Sequence, residues 1–185
     1  MMDDFKEISL TGRLCYLFMC IEKYLIFCYP NKDWTPIAKK CWQWTNGWWN
    51  EGCGEYSKIV PEFLFEYDDY TKTNEWEYDG MLSEEDYHIL VGLYAGITDG
   101  KAEDDINQIL MLPIKFNNVC ECSDFCHADE PTLEIILEAQ EILSKHHIAL
   151  PCFGQIKTFA VAQKNGWGEF VDSEYLSEII ETVND

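Results

Sequence analysis

The sequence predicts an all-α, single-domain protein, a helical bundle of about six to seven helices. Apolar residues recur at three- and four-residue spacing in several segments, which places them on one face of an α-helix. Helix-start signals, such as a serine before acidic residues or a threonine before proline, precede several of these segments. The 185 residues contain neither an internal repeat nor an alternating strand–helix pattern, and this length is enough to bury a core.

The first predicted helix has the clearest apolar stripe. Its members are Leu10, Leu14, Leu17, Phe18, Ile21, Leu25 and Cys28. Ser9 is a candidate N-cap because its hydroxyl can accept a bond from an unpaired amide of the first turn. Pro30 ends the helix near Tyr29. Glu22 and Lys23 interrupt the apolar run well short of the ~20 residues that a membrane span needs.

The second predicted helix carries the tryptophan-rich segment CWQWTNGWW. It begins at Thr35, with Pro36 at the first helical position, where a missing N–H costs nothing. One face carries Ile37, Cys41 and Trp44. Trp44 is therefore expected in the core, while Trp42 and Trp49 are expected off that stripe. The tryptophan cluster as a whole is expected to pack between helices, with one indole exposed.

Shorter elements follow in the middle of the chain. Residues 51–54 are glycine-rich and are predicted to form a loop, and residues 56–70 are predicted to form a third helix. Residues 71–81 are a polar loop. Ser83 then opens a fourth helix, because a serine followed three residues later by Asp86 resembles a capping box.

The second half of the chain is predicted to contain two long helices and two irregular segments. A fifth helix follows Gly100, and a sixth begins at Pro131. Irregular structure is expected near 111–130, which contains a proline and three cysteines, and near 150–172. Residues 175–183 are expected to form a short last helix.

The charge of the chain is strongly negative and unevenly distributed. The formal net charge is −21, although residues 1–61 carry seven acidic and seven basic residues. Residues 62–110 carry fourteen acidic residues and only Lys72 and Lys101, and residues 111–185 carry thirteen against four lysines. DNA, RNA or an anionic membrane would be repelled, so none is expected as a partner, whereas a basic protein would be attracted. The alternative is that the acidity only keeps the protein soluble.

The cysteine content indicates a reducing compartment. The chain has nine cysteines, an odd number, and several lie within apolar helical patterns. The N-terminal sequence MMDDFKEIS lacks the basic start and apolar run of a signal peptide. We therefore expect free thiols and a cytoplasmic location.

The sequence offers no catalytic motif, so neither enzymatic activity nor a cofactor is expected. Patterns such as GxSxG, HExxH and GxGxxG are absent from the chain. Cys15 and Cys41 lie on apolar stripes, where burial makes a thiol inert. His146 and His147 are adjacent at a helix end, where they suit the helix dipole better than they would chelate a metal.

A possible zinc site is the one competing chemical interpretation. Its ligands would be Cys120, Cys122, Cys126 and His127, joined through space by Cys152 or His88. Structural zinc sites favour two pairs of closely spaced ligands, and this segment supplies C-x-C-x3-C-H without a second pair. No metal is therefore predicted. A zinc-binding module or metal-dependent enzyme stays the alternative.

The candidate partner-binding segment is PEFLFEYDDYTKTNEWEYDG, residues 61–80. It combines seven acidic residues with six aromatic ones. Aromatic side chains among carboxylates suit an inhibitor of a basic protein, because the aromatics give affinity and the acids steer the encounter. The structural alternative is a core helix followed by a solvated loop. The candidate partner-binding residues are Glu66, Asp68, Asp69, Glu75, Trp76, Glu77, Tyr78 and Asp79.

Four segments, in their order, resemble the immunity proteins of bacterial polymorphic toxin systems, in particular the all-α sixth numbered immunity family. They are LTGRLCYLFMCIEKYLI, CWQWTNGWW, VPEFLFEYDDY and KNGWGEF. The resemblance implies a protein that binds and neutralises a cognate toxin, in many cases a nuclease, encoded beside it. It implies no catalytic residues, and the cysteine-rich segment 120–127 is not typical of the family. A third interpretation is an interaction protein unrelated to toxins.

Overall fold

The computed structural model describes residues 2–46, 49–66, 70, 82–121, 125–169 and 172–180. In these residues it contains eight α-helices and no strand, which confirms the predicted all-α fold. The helices are α1 (Met2–Phe5), α2 (Leu10–Cys28), α3 (Thr35–Asn46), α4 (Trp49–Ser57), α5 (Pro61–Leu64), α6 (Glu84–Tyr94), α7 (Asp105–Glu121) and α8 (Phe125–Lys145). Three 3₁₀ turns follow, at Phe153–Ile156, Gln163–Gly166 and Glu174–Leu176.

Helix α2 is the centre of the fold and packs against α3, α7, α8 and the first 3₁₀ turn. Nearly all of its side chains are buried, which explains why the segment is apolar around most of its circumference. The predicted N-cap is confirmed, because the Ser9 hydroxyl accepts a bond from the Gly12 amide. A Cβ at Gly12 would lie 2.5 Å from Cβ of Phe159, so only glycine allows this close approach.

The tryptophans of α3 are more completely buried than the sequence predicted. Trp44 is 1% exposed, as expected. Trp42 was expected off the apolar stripe, but it is 0% exposed and packs edge-on against Phe18 at 5.6 Å. The prediction was wrong because the helix is covered on more than one side, and because the Trp42 indole N–H finds a buried acceptor in Glu22. Trp49 lies in α4, but its side chain is outside the described part.

The predicted loop at residues 51–54 is instead part of α4. Gly52 is buried, and a Cβ there would lie 2.2 Å from Cδ1 of Trp44. Gly52 therefore allows α4 to pack directly on the tryptophan of α3. Tyr56 in the same helix lies 5.4 Å from Trp44, ring centre to ring centre. In the described residues 56–66, the predicted third helix is replaced by the end of α4 and the four-residue α5, and residues 67–69 lie outside the described part.

The irregular segment expected near 111–130 is largely helical. Pro113 lies inside α7, and Pro131 lies inside α8 rather than at its start. A proline inside a helix costs ~3 kcal/mol, because the carbonyl four residues earlier loses its amide donor. In the turn before Pro113, Tyr56 donates to the carbonyl of Leu110 at 2.8 Å. Burial of the apolar face of α7 offsets the remaining cost. The buried apolar side chains around Pro113 include Ile109, Leu110, Leu112 and Phe116.

The remaining predictions concern helix α6 and the C-terminal part. Ser83 is confirmed as the N-cap, because its hydroxyl accepts from the Asp86 amide at 3.0 Å; the Asp86 carboxylate accepts from this hydroxyl, at 2.7 Å, where a capping box would use the Ser83 amide. The described part of 150–172 contains only 3₁₀ turns and irregular structure, as predicted. In place of the expected last helix at 175–183, the structure describes a 3₁₀ turn at Glu174–Leu176, and residues after 180 are outside the described part.

Candidate functional site

The predicted partner-binding segment is described only over residues 61–66 and at Tyr70. Glu66 is exposed and follows α5 directly. The other seven predicted residues lie outside the described part, namely Asp68, Asp69, Glu75, Trp76, Glu77, Tyr78 and Asp79. The structure therefore places the start of the segment, residues 61–66, and one later position, Tyr70.

Two aromatic residues of the segment contact helix α6. The ring of Tyr70 lies 5.8 Å from that of Tyr87, and the ring of Phe65 lies 6.3 Å from that of Tyr94. The Tyr94 hydroxyl also donates to the carbonyl of Ile59 at 2.6 Å, within the core. These contacts place Phe65 and Tyr70 beside the helix that follows the segment.

Helix α5 is also fixed against α7 and the turn before it. The Asn107 side chain accepts from the Glu62 amide and donates to the Glu62 carboxylate, each at 2.9 Å. Gly100 has φ +83°, and a Cβ there would lie 2.7 Å from the carbonyl oxygen of Pro61. The turn containing Gly100 therefore lies directly on α5, which brings its carboxylates to the same region as those of α5.

Eight carboxylates of this region form what we call the acidic face. Seven are exposed and Asp104 is half-buried. The single described lysine between residues 62 and 110 is Lys101, which pairs with Asp99 at 2.8 Å and helps to lower the pKa of that carboxyl. The members of the acidic face are Glu62, Glu66, Glu84, Glu85, Asp86, Asp99, Glu103 and Asp104. Such an excess of one sign produces a field that attracts a cationic partner.

Helix α8 carries a second acidic surface. Glu130, Glu134 and Glu141 are exposed and share one side of the helix with the half-buried Glu138. Leu137, 40% exposed, lies among them. This surface is partly neutralised, because Lys115 pairs with Glu138 at 2.7 Å. We call these residues the α8 acidic stripe.

Of the four candidate zinc ligands in residues 120–127, only Cys120 has a described side chain. Cys120 is buried in α7, and burial raises the pKa of its thiol to about 12. Cys122 and the side chains of Cys126 and His127 lie outside the described part. No group of three or more histidine, cysteine or acidic residues that could hold a metal occurs among the described side chains. The zinc interpretation therefore stays an alternative prediction.

The buried thiols of α2 and α3 have the environment that the sequence predicted. Burial raises the pKa of Cys15 to about 12 and that of Cys41 well above its ordinary value. The nearest described partner of Cys15 is the Ser173 hydroxyl, at 3.6 Å. Both thiols are protonated at neutral pH and lack the thiolate character of a nucleophile.

A polar cluster at the junction of α2, α7 and α8 was not predicted. Asp105 accepts from Lys145 and pairs with His146, each at 2.7 Å; these bonds lower the pKa of Asp105 although partial burial opposes the shift. Cys28 is half-buried nearby, but its thiol bonds to Tyr24. Asp105 and His146 are 41 residues apart in sequence, so no local pattern signals the pair.

A buried carboxylate on α2, Glu22, was also missed. It is 1% exposed and accepts from the indole of Trp42 at 2.7 Å. It also accepts from the Ser177 hydroxyl and the Glu178 amide, each at 2.6 Å. Beside it, Lys23 pairs with the Glu178 carboxylate at 2.8 Å. Glu22 thus joins α2, α3 and the C-terminal segment, a structural role rather than a surface one.

The pH dependence of stability should reveal Glu22. Burial raises the pKa of its carboxyl above the ordinary value of 4.5, although the bonds from Ser177, Trp42 and Glu178 oppose the shift. The native protein then binds this proton more tightly than the unfolded chain, so the contribution of Glu22 to stability falls as pH rises through the folded pKa. We expect the stability of the wild type relative to Glu22→Gln to increase as the pH falls toward 4.5, the ordinary pKa of the carboxyl.

Denaturant titration at several pH values measures this difference. Glu141→Gln, which removes one exposed carboxylate from α8, controls for the loss of one charge. A difference between wild type and Glu22→Gln that is flat, or that grows as pH rises, would contradict the raised pKa.

Comparison of the chain with known protein families, proteins and structures identified no similar protein. No family model, no curated protein and no solved structure matches the chain. Among the described residues, no helix combines the length and the apolar character needed to cross a membrane. Any functional conclusion therefore depends on the chain's own surface and on the four segments quoted above.

Proposed function

We propose that the protein is an immunity protein, which binds a cognate bacterial toxin domain stoichiometrically and neutralises it. The observation that carries the proposal is the acidic face, eight carboxylates accompanied by one described lysine. An inhibitor of this kind needs a surface complementary to its target and no catalytic group. The partner is then a basic domain, as a nuclease that binds polyanions would be.

The segments that carry the family resemblance support the proposal by their structural roles. LTGRLCYLFMCIEKYLI forms most of the central helix α2, and CWQWTNGWW supplies the buried Trp42 and Trp44. In KNGWGEF, the Trp167 carbonyl accepts from both the amide and the hydroxyl of Thr11, at 2.9 and 2.8 Å. These segments specify the fold, which leaves the surface free to match a particular toxin.

Charge reversal of the candidate segment should slow association with the toxin domain. Reversing Asp68, Asp69, Glu75 and Glu77 to lysine is expected to reduce the on-rate by about tenfold or more at low salt, because the acids steer the encounter. The effect should shrink at high salt, since the Debye length falls from ~10 Å at 0.1 M to ~3 Å at 1 M. Surface-based binding kinetics against the domain encoded by the neighbouring gene, at two salt concentrations, provide the measurement.

The matched control reverses four glutamates of the α8 acidic stripe, Glu130, Glu134, Glu138 and Glu141. Both variants change the net charge equally, so a general effect of charge would slow both alike. We expect a smaller effect from the α8 variant. Unchanged rates for the first variant, while it stays folded, would place the binding surface elsewhere.

A further inference from the structure

We infer that the outward side of helix α6, made of Glu85, Ile89 and Gly92, is the surface on which a cationic segment of the toxin domain docks. This inference rests on the proposed function and adds residues that the sequence did not single out. The orientation of α6 is fixed by its buried side, which consists of Tyr87, Leu90, Leu93 and Tyr94. Residues 85, 89 and 92 recur at the spacing of one helix face and therefore point away from the core.

Ile89 supplies the apolar centre of this surface. Its side chain is 46% exposed, and it is one of four exposed large hydrophobic residues in the described part of the chain. A single exposed isoleucine is ordinary on a protein surface. Ile89 is a candidate contact residue because of its neighbours along α6. Glu84, Glu85 and Asp86 lie one turn before it, and the open position at Gly92 lies one turn after it.

Gly92 leaves room for a partner's backbone beside Ile89. A Cβ placed at Gly92 would meet no atom within 4 Å, so packing inside this chain does not require glycine there, whereas Gly96 has φ +75°, which favours glycine by itself. Glycine lowers the stability of a helix interior by ~1 kcal/mol relative to alanine. A partner that approaches the helix closely at Gly92 would give this otherwise unfavourable residue a role.

The charges along α6 indicate how the partner lies. Glu84, Glu85 and Asp86 occupy the first turn. At the other end, the Lys32 ammonium donates to the carbonyls of Gly92 and Ala95, at 3.3 and 3.5 Å. A cationic group therefore belongs over the first turn, and an uncharged part of the partner belongs over Ile89 and Gly92.

The α8 acidic stripe is the competing surface, because Leu137 is exposed there among glutamates. One glutamate of that surface is neutralised, since Lys115 pairs with Glu138, whereas Lys145 at the helix end pairs with Asp105. Among the described contacts, none joins a lysine to the first-turn carboxylates of α6, and the imidazole of His88 lies 3.9 Å from Glu84. These carboxylates without a described lysine partner, together with the open position at Gly92, favour α6 as the site for a cationic partner.

Two matched pairs of variants test the inference in the full chain. Ile89→Lys and Leu137→Lys make the same change on the two acidic surfaces. Gly92→Leu and Gly54→Leu each fill an open helical glycine position, one on α6 and one on α4. We expect Ile89→Lys and Gly92→Leu to weaken binding of the neighbouring toxin domain by about tenfold or more, mainly through the off-rate, with the controls within about twofold.

The outcomes separate this inference from the proposed function. If the wild type binds the toxin domain and the two folded α6 variants bind equally well, the α6 surface is wrong and the immunity function stands. Weakening by Leu137→Lys instead would also overturn the inference in favour of α8. If the wild type does not bind the domain, both the proposed function and the α6 inference fail. Thermal unfolding of each variant shows that it is folded.

Discussion

Replacing Arg13 with methionine is expected to lower the free energy of unfolding by about 3–5 kcal/mol, the range for removing one partner of a buried ion pair. Arg13 is the chain's one arginine and is 0% exposed. Its guanidinium pairs with the Asp129 carboxylate at 2.5 Å and donates to Thr132 at 2.8 Å. It also donates to the carbonyls of Phe5 and Ile8, so its loss leaves several buried acceptors without their donor.

Guanidinium titration measures the loss, with Lys39→Met as the control. Lys39 is an exposed lysine of α3, and its replacement removes the same charge. We expect the control to change stability by less than about 0.5 kcal/mol. Arg13→Lys should fall between the two variants, because an ammonium cannot reproduce the planar fork of donors. A loss below about 1 kcal/mol for Arg13→Met would mean that the α1–α2 turn and α8 are not joined by this residue.

Trp44→Ala is the second substitution with a large expected effect, about 3–5 kcal/mol of lost stability. The indole is 1% exposed and packs against the rings of Phe18 and Tyr56, at 5.9 and 5.4 Å. Gly52 of α4 lies directly on it, so truncation opens a cavity between two helices. Denaturant titration again gives the value.

Tyr175→Ala is the matched control for Trp44→Ala. Tyr175 is an aromatic residue that is 59% exposed, so its truncation should cost less than about 0.5 kcal/mol. If Trp44→Ala costs less than about 1 kcal/mol, the tryptophan cluster is at the surface and becomes the candidate interface in place of the acidic face.

The elements that the sequence predicted well are those with local signals. Ser9 and Ser83 accept the capping bonds expected of them, and α3 begins at Thr35 as its proline indicates. The failures are positions where packing outweighs a local preference. Pro113 disfavours a helix interior, yet it lies inside α7 because the helix is buried around it. Gly52 also disfavours a helix, yet it lies inside α4 because only glycine fits so close to Trp44.

The candidate site was predictable only in part for the same reason. The excess of acidic residues in 62–110 is visible in the sequence, as is the buried stripe of α2. The roles of Arg13 and Glu22 are not, because their partners lie 116 and 155 residues away along the chain. The exposure of Ile89 depends on which side of α6 faces the core, and the helix has apolar residues on both sides.

Titration of the purified toxin domain with this protein tests the central claim most directly. The domain encoded by the neighbouring gene is assayed for its own activity while the full chain is added at concentrations well above the dissociation constant. The account predicts a linear loss of toxin activity that is complete at a fixed molar ratio, together with a complex that elutes as one species in size-exclusion chromatography. Toxin activity that persists at excess protein, with the two proteins eluting separately, would contradict the account.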